Sequence, residues 1–93
     1  MRSHRVTIKD EFGMHLRSIM AFVTLAKTFD SQITLKFESE AADGKSPWAL
    51  LGLGVVPGSQ ITVCASGCDE DEAVAALVSL AENDFRLPGS EQS

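Results

Sequence analysis

From Arg5 the chain alternates, with Val6 and Ile8 on one face and Arg5, Thr7 and Lys9 on the other. A period of two is that of a half-buried strand. "EFG" breaks it, and beyond it the period lengthens. Between Leu16 and Phe29 the apolar positions Ile19, Phe22, Val23, Ala26 and Phe29 recur at three- and four-residue steps. That spacing predicts an amphipathic helix over 16–29, ended by "DSQ". "QITLKF" then alternates again, with Ile33, Leu35 and Phe37 set against Thr34 and Lys36. "ESEAADG" carries a weaker pattern, a short strand or hairpin arm closing on Asp43-Gly44.

"SPWALLGLG" reads as a helical turn or two, with Ser46 as N-cap and Pro47 in the first helical position. In "PGS", Pro57 and Gly58 suit the two central positions of a tight turn. "QITVCAS" is a strand with Ile61, Val63 and Ala65 inward and Cys64 on the opposite face. The last helix runs from Asp69 to about Phe85, with Val74, Leu77, Val78 and Ala81 as its stripe. Its opening "DEDE" predicts a capping box, Asp69 as N-cap and Glu72 three residues on. The order is therefore β-α-β-β-α-β-α. Its helical stripes must all cover one face of an antiparallel sheet, giving a two-layer α+β sandwich with the other face wet. Thr7, Thr34, Lys36, Thr62 and Cys64 fall on that wet face. Residues 1–86 make one domain, and "RLPGSEQS" is a polar, frayed tail whose flexible part is 87–93.

Composition narrows the function. Ninety-three residues bury a thin core without deep cavities, which puts function on the surface. The net charge of −5 argues against nucleic acid as the main partner. The charge is uneven: residues 1–36 carry a net of +3 and residues 37–93 a net of −8. A modest positive zone around Arg17 and Lys27 is left for an anion or an acidic protein face. Cys64 and Cys68 are too few for a four-ligand zinc site, and no cofactor motif appears. No apolar run suggests an export signal or a membrane span, so a monomer in a reduced cytoplasm, with free thiols, is expected.

The candidate chemistry lies at "GMHLRS". His15 stands at or beside the N-cap of the first long helix. The N–H groups of Leu16, Arg17 and Ser18 have no carbonyl partners within that helix and lie at the positive end of its dipole. Such an end accepts an anion. A phosphoryl group on His15 would point at those N–H groups, and the Arg17 guanidinium would add donors to its oxygens. Imidazole offers an uncharged ring nitrogen near neutral pH and can pass a phosphoryl group onward. Leu16 and Met20 fall outside the core stripe, as do Trp48 and Leu51 on the short helix. An apolar apron around a nucleophile is what a docking surface for a protein partner requires. His4, the other histidine, alternates with Val6 and is read as structural.

These residues resemble a family, HPr, the histidine-containing phosphocarrier of the bacterial phosphoenolpyruvate-dependent sugar phosphotransferase system. Its signature of glycine, aliphatic residue, histidine, any residue, arginine and proline reads here Gly13, Met14, His15, Leu16, Arg17 and Ser18, with serine in the proline's place. "GKSPWALLGLGVVPGSQITVCASG" follows a second family signature, around a regulatory serine. The resemblance spans Arg5 to about Phe85. It implies an open-faced sandwich with sheet order 1-4-2-3 and three helices on one face. It implies that His15 takes phosphate from Enzyme I through Nδ1 and gives it to an Enzyme IIA domain, assisted by Arg17. It implies that Ser46 is a target of an HPr kinase/phosphorylase, whose phosphate would govern a regulatory protein partner. Partner docking then falls to Leu16, Met20, Lys27, Pro47, Trp48 and Leu51. Leu16, Ser18, Pro47 and Ala49 depart from the usual family residues and bear on which partners are served.

Two functions from different classes follow: a phosphoryl carrier, or a regulatory paralogue working through docking, through Ser46 or in a nitrogen-type phosphotransfer branch. A free-standing enzyme is the weakest reading, because no paired carboxylates, metal cluster, glycine-rich phosphate loop or Ser/His/Asp set appears.

Overall fold

In this computed structural model the described residues are 1–9, 14–83 and 85. Four strands and three helices alternate as β1 (Arg2–Thr7), α1 (Leu16–Ala26), β2 (Gln32–Phe37), β3 (Glu40–Asp43), α2 (Pro47–Leu51), β4 (Gln60–Ser66) and α3 (Glu70–Glu82). The strands form one antiparallel sheet in the order β1-β4-β2-β3, with β4 between β1 and β2. The register sets Val6 beside Ile61 and Leu35 beside Val63, so alternate residues of neighbouring strands share one apolar face. That face and the helices enclose the core, in which Ile8, Phe22, Ile33, Leu35, Ile61 and Leu77 are fully buried. The result is an open-faced α+β sandwich.

Two glycines are required where the chain approaches itself or turns. A Cβ on Gly44 would lie 2.5 Å from Ile33 Cγ2 and 3.2 Å from Phe22 Cε1, so only glycine lets β3 hand over to α2 at this spot. Gly58, with φ of 84°, occupies the third place of the turn that Pro57 opens, and the Ser59 N–H closes it on the Val56 carbonyl at 3.1 Å. The β2–β3 hairpin turns at Glu38 and Ser39, with Phe37 opposite Glu40 and Glu38 at φ 56°. Neither residue advertises a tight turn.

Several expectations are corrected. Helix α1 stops at Ala26, short of Phe29. The N–H groups of Thr28 and Phe29 bond back only three residues, to Leu25 and Ala26, and the Thr28 hydroxyl also donates to the Leu25 carbonyl. This tightened last turn, with a side chain competing for its carbonyls, ends the helix. Phe29 still packs against the core from outside it. The capping box at α3 does not form. The Asp69 carboxylate turns away from its own helix and accepts from the Asp30 N–H (2.8 Å), the Ser31 N–H (2.9 Å) and the Ser31 hydroxyl. It is the Glu70 carboxylate that reaches back, to the Gly67 N–H at 3.2 Å. Asp69 thus ties the α1–β2 loop to the start of α3. Cys64 lies on the sheet face away from the core but is buried, not wet. Its strand is central, and its neighbours Ser3 and Thr34 flank so small a side chain from both sides. Cys68 is exposed, and both thiols are free. The expected tail, 87–93, lies outside the described residues.

Candidate functional site

His15 is extended, with φ of −87° and ψ of 178°, and is the N-cap residue from which α1 starts at Leu16. The first helical bond of α1 runs from the Ile19 N–H to the His15 carbonyl at 2.9 Å. The N–H groups of Leu16, Arg17 and Ser18 therefore precede the helical ladder, at the positive end of its dipole. No acidic residue stands in this first turn. Leu16 and Arg17 are exposed, so the turn presents an apolar side chain and a cation to solvent. Met14 is buried, and its N–H donates to the Val55 carbonyl at 3.3 Å, which fixes the approach to His15 against the segment leading into β4.

Ser18, the serine in the proline's place, is only 1% exposed, and its Oγ shares a hydrogen bond with His15 Nε2 at 3.1 Å. The hydroxyl faces the imidazole and not solvent. His15 itself is half-buried.

The residues of the expected apolar apron, Leu16, Met20, Trp48 and Leu51, are all exposed, Trp48 to 81%, so the indole does not cap the core. Val56 is exposed as well and was not foreseen; it follows Val55, whose carbonyl holds Met14, and only one valine of the pair can face inward. Pro47 is half-buried at the start of α2, and Lys27 is exposed at the C-cap of α1. Lys27 is seven residues beyond Met20, hence on the same face of α1 but about 10 Å further along the axis.

Ser46 caps α2 as expected, its Oγ accepting from the Ala49 N–H at 3.3 Å. The adjacent Lys45 donates through Nζ to the Phe29 carbonyl at 2.7 Å, just beyond the C-terminal end of α1. His4 lies on β1 opposite Val63, exposed, in a shallow groove beside Asp71 and Val74 of α3. Among the described residues no group of three or more His, Cys, Asp or Glu side chains is placed to hold a metal ion. No helix among them is long and apolar enough to cross a membrane.

A family described as "PTS HPr component phosphorylation site" matches residues 2–83. The chain belongs to the HPr family. It is 44% identical over 82 residues to phosphocarrier protein NPr of Proteus mirabilis, covering 87% of this chain and 91% of that protein. It is 39% identical over 82 residues to phosphocarrier protein HPr of Vibrio cholerae, covering 88% of this chain and 96% of that one. Among solved structures, an HPr of Thermoanaerobacter tengcongensis superposes with a TM-score of 0.88 at 36% identity, over 91% of this chain and 96% of that chain. HPr-family membership makes this protein a phosphocarrier of the phosphotransferase system, working with other proteins of that system.

Proposed function

We propose that His15 is the residue that carries the phosphoryl group, received from Enzyme I and passed to an Enzyme IIA domain. The observation that carries this reading is the position of His15 at the N-cap of α1, beside N–H groups that precede the helical ladder, with Arg17 and no carboxylate in the same turn. The dianionic phosphoryl group is then stabilised by the helix end and by guanidinium donors. Leu16, Met20, Trp48 and Leu51 form the apolar surface that a partner covers, with Pro47 and Lys27 at its margins. Ser46 is the regulatory position for an HPr kinase/phosphorylase. Its capping role and a phosphate are compatible, since a helix N-terminus tolerates the added charge of about −2.

A second reading, a regulatory or nitrogen-type paralogue, has a specific observation in its favour: the 44% identity with a protein named NPr stands above the 39% with one named HPr. It shares the same carrier chemistry and differs in the partner. The carrier reading is tested by incubation with phosphoenolpyruvate and an active Enzyme I. One acid-labile phosphate should appear, lost in His15→Ala and retained in His4→Ala. An unmodified wild-type mass, with the same Enzyme I active on an HPr, overturns it.

A further inference from the structure

We propose that Ser18 is a positioning residue that fixes the tautomer of His15, accepting the Nε2 proton on its hydroxyl oxygen and so leaving the lone pair on Nδ1. The inference rests on the carrier reading and adds the means by which this chain directs its nucleophile. Ser18 Oγ lies 3.1 Å from Nε2 and Ser18 is 1% exposed, so the contact sits on the protein side of the ring, three residues along the same helical turn. A hydroxyl can accept or donate at this contact, and the choice decides which ring nitrogen is nucleophilic. In neutral imidazole one nitrogen bears the proton and the other the lone pair. If the hydroxyl donated to Nε2, Nδ1 would hold the proton and be inert. Accepting from Nε2–H gives the reverse.

Transfer then needs no proton movement on the ring. The Nδ1 lone pair attacks phosphorus of the phosphorylated donor protein, and the P–Nδ1 bond forms. The bond from phosphorus to the donor breaks, its electron pair leaving with the donor group. The Nε2 proton stays where it was, still donated to Ser18 Oγ, while the ring takes up the positive charge. The same contact therefore serves the ring before and after transfer. A serine standing where the family signature has proline supplies it, because proline has no hydroxyl.

Two variants separate this role from a structural one. Ser18→Ala removes the hydroxyl and leaves the backbone alone. Ser18→Pro removes it while stiffening the helix start, at no cost in helical bonding, since the Ser18 N–H precedes the ladder. Long-range ¹H–¹⁵N spectra of histidine-labelled protein in alkaline buffer report the tautomer directly. Wild type should show His15 as the Nε2–H form, and both variants should shift it towards a mixture. Both should also slow phosphorylation by about two- to tenfold, the range spanned by one hydrogen bond's net contribution. A role limited to helix rigidity would move the rates of the two variants in opposite directions and leave the tautomer unchanged, and either result overturns the proposal. So does a wild-type ring found as Nδ1–H. If the variants match wild type in tautomer and all are phosphorylated on His15, the inference falls and the carrier reading stands. If wild type takes no phosphate at all, both fall.

Discussion

Trp48 offers a separation of docking from folding, because so little of it touches the protein that carries it. With 81% of the residue exposed, about 200 Å² of indole remains for a partner to cover, taking about 250 Å² as the area a large aromatic can bury. At about 25 cal/mol per Å² this is at most about 5 kcal/mol of association energy. Ordering and imperfect desolvation reduce it, and truncation of a central tryptophan at an interface costs at least about 2 kcal/mol. Trp48→Ala should therefore weaken association with the phosphoryl donor at least about 25-fold. Its effect on folding should stay within about 0.5 kcal/mol, as for other exposed positions. For a domain of this size that is a shift of about 2–4 °C in Tm. The assay is the phosphorylation rate as a function of donor concentration, alongside a thermal melt. The half-saturating concentration should rise while the maximal rate and Tm hold. An unchanged half-saturating concentration would refute the docking surface. A Tm fall of more than about 8 °C would show instead that the indole supports the core.

Other outcomes follow from the fold and its charges. Hydrogen bonds from the Ser31 side chain, and then from the Asp30 and Ser31 backbone, hold the Asp69 carboxyl below its ordinary value of 3.8, so its stabilising contribution is present above about pH 4 and is lost as pH falls through the lowered value. The stability gap between wild type and Asp69→Asn, measured by melts across acidic pH, should accordingly close on acidification; a gap independent of pH would contradict the tie to Ser31. Gly44→Ala places a methyl 2.5 Å from Ile33 Cγ2 and should destabilise by about 1–3 kcal/mol in denaturant titration. Ser46→Asp keeps a good N-cap, so circular dichroism should not change, but its charge next to Pro47 and Trp48 of the docking surface should weaken approach of an acidic partner, slowing phosphorylation of His15 several-fold at low salt with partial recovery at high salt. Wild-type rates in low salt would reduce Ser46 to a helix cap.

The elements were legible where one face of each is buried. Ile33 and Leu35, Ile61 and Val63, and Ile19, Phe22 and Val23 keep the periods of strand and helix because the core lies on one side of them. The location of His15 at a helix start was legible for the same reason, as the last residue before a change of period. What escaped the sequence depends on contacts between distant segments. Asp69 caps nothing in its own helix because the Asp30–Ser31 loop, 38 and 39 residues earlier, offers it three donors at once. Cys64 is buried by its place in the middle of the sheet, which strand order alone decides. The tie from Lys45, just ahead of α2, to the Phe29 carbonyl beyond α1 was hidden in the same way. The direction of the Ser18 hydroxyl was hidden for another reason: a serine in the first turn of a helix has several acceptors and donors within reach, and only the ring's position selects among them.

The account turns on His15 as a relay and not merely an acceptor. The direct measurement is a chase, in which isolated phosphorylated protein is mixed with an unphosphorylated Enzyme IIA domain and both masses are followed in time. One phosphate should leave this chain and appear on the acceptor in equal amount, without release of inorganic phosphate. A phosphate that remains on this chain, or one that appears only as inorganic phosphate in the presence of an active acceptor, would contradict the carrier function.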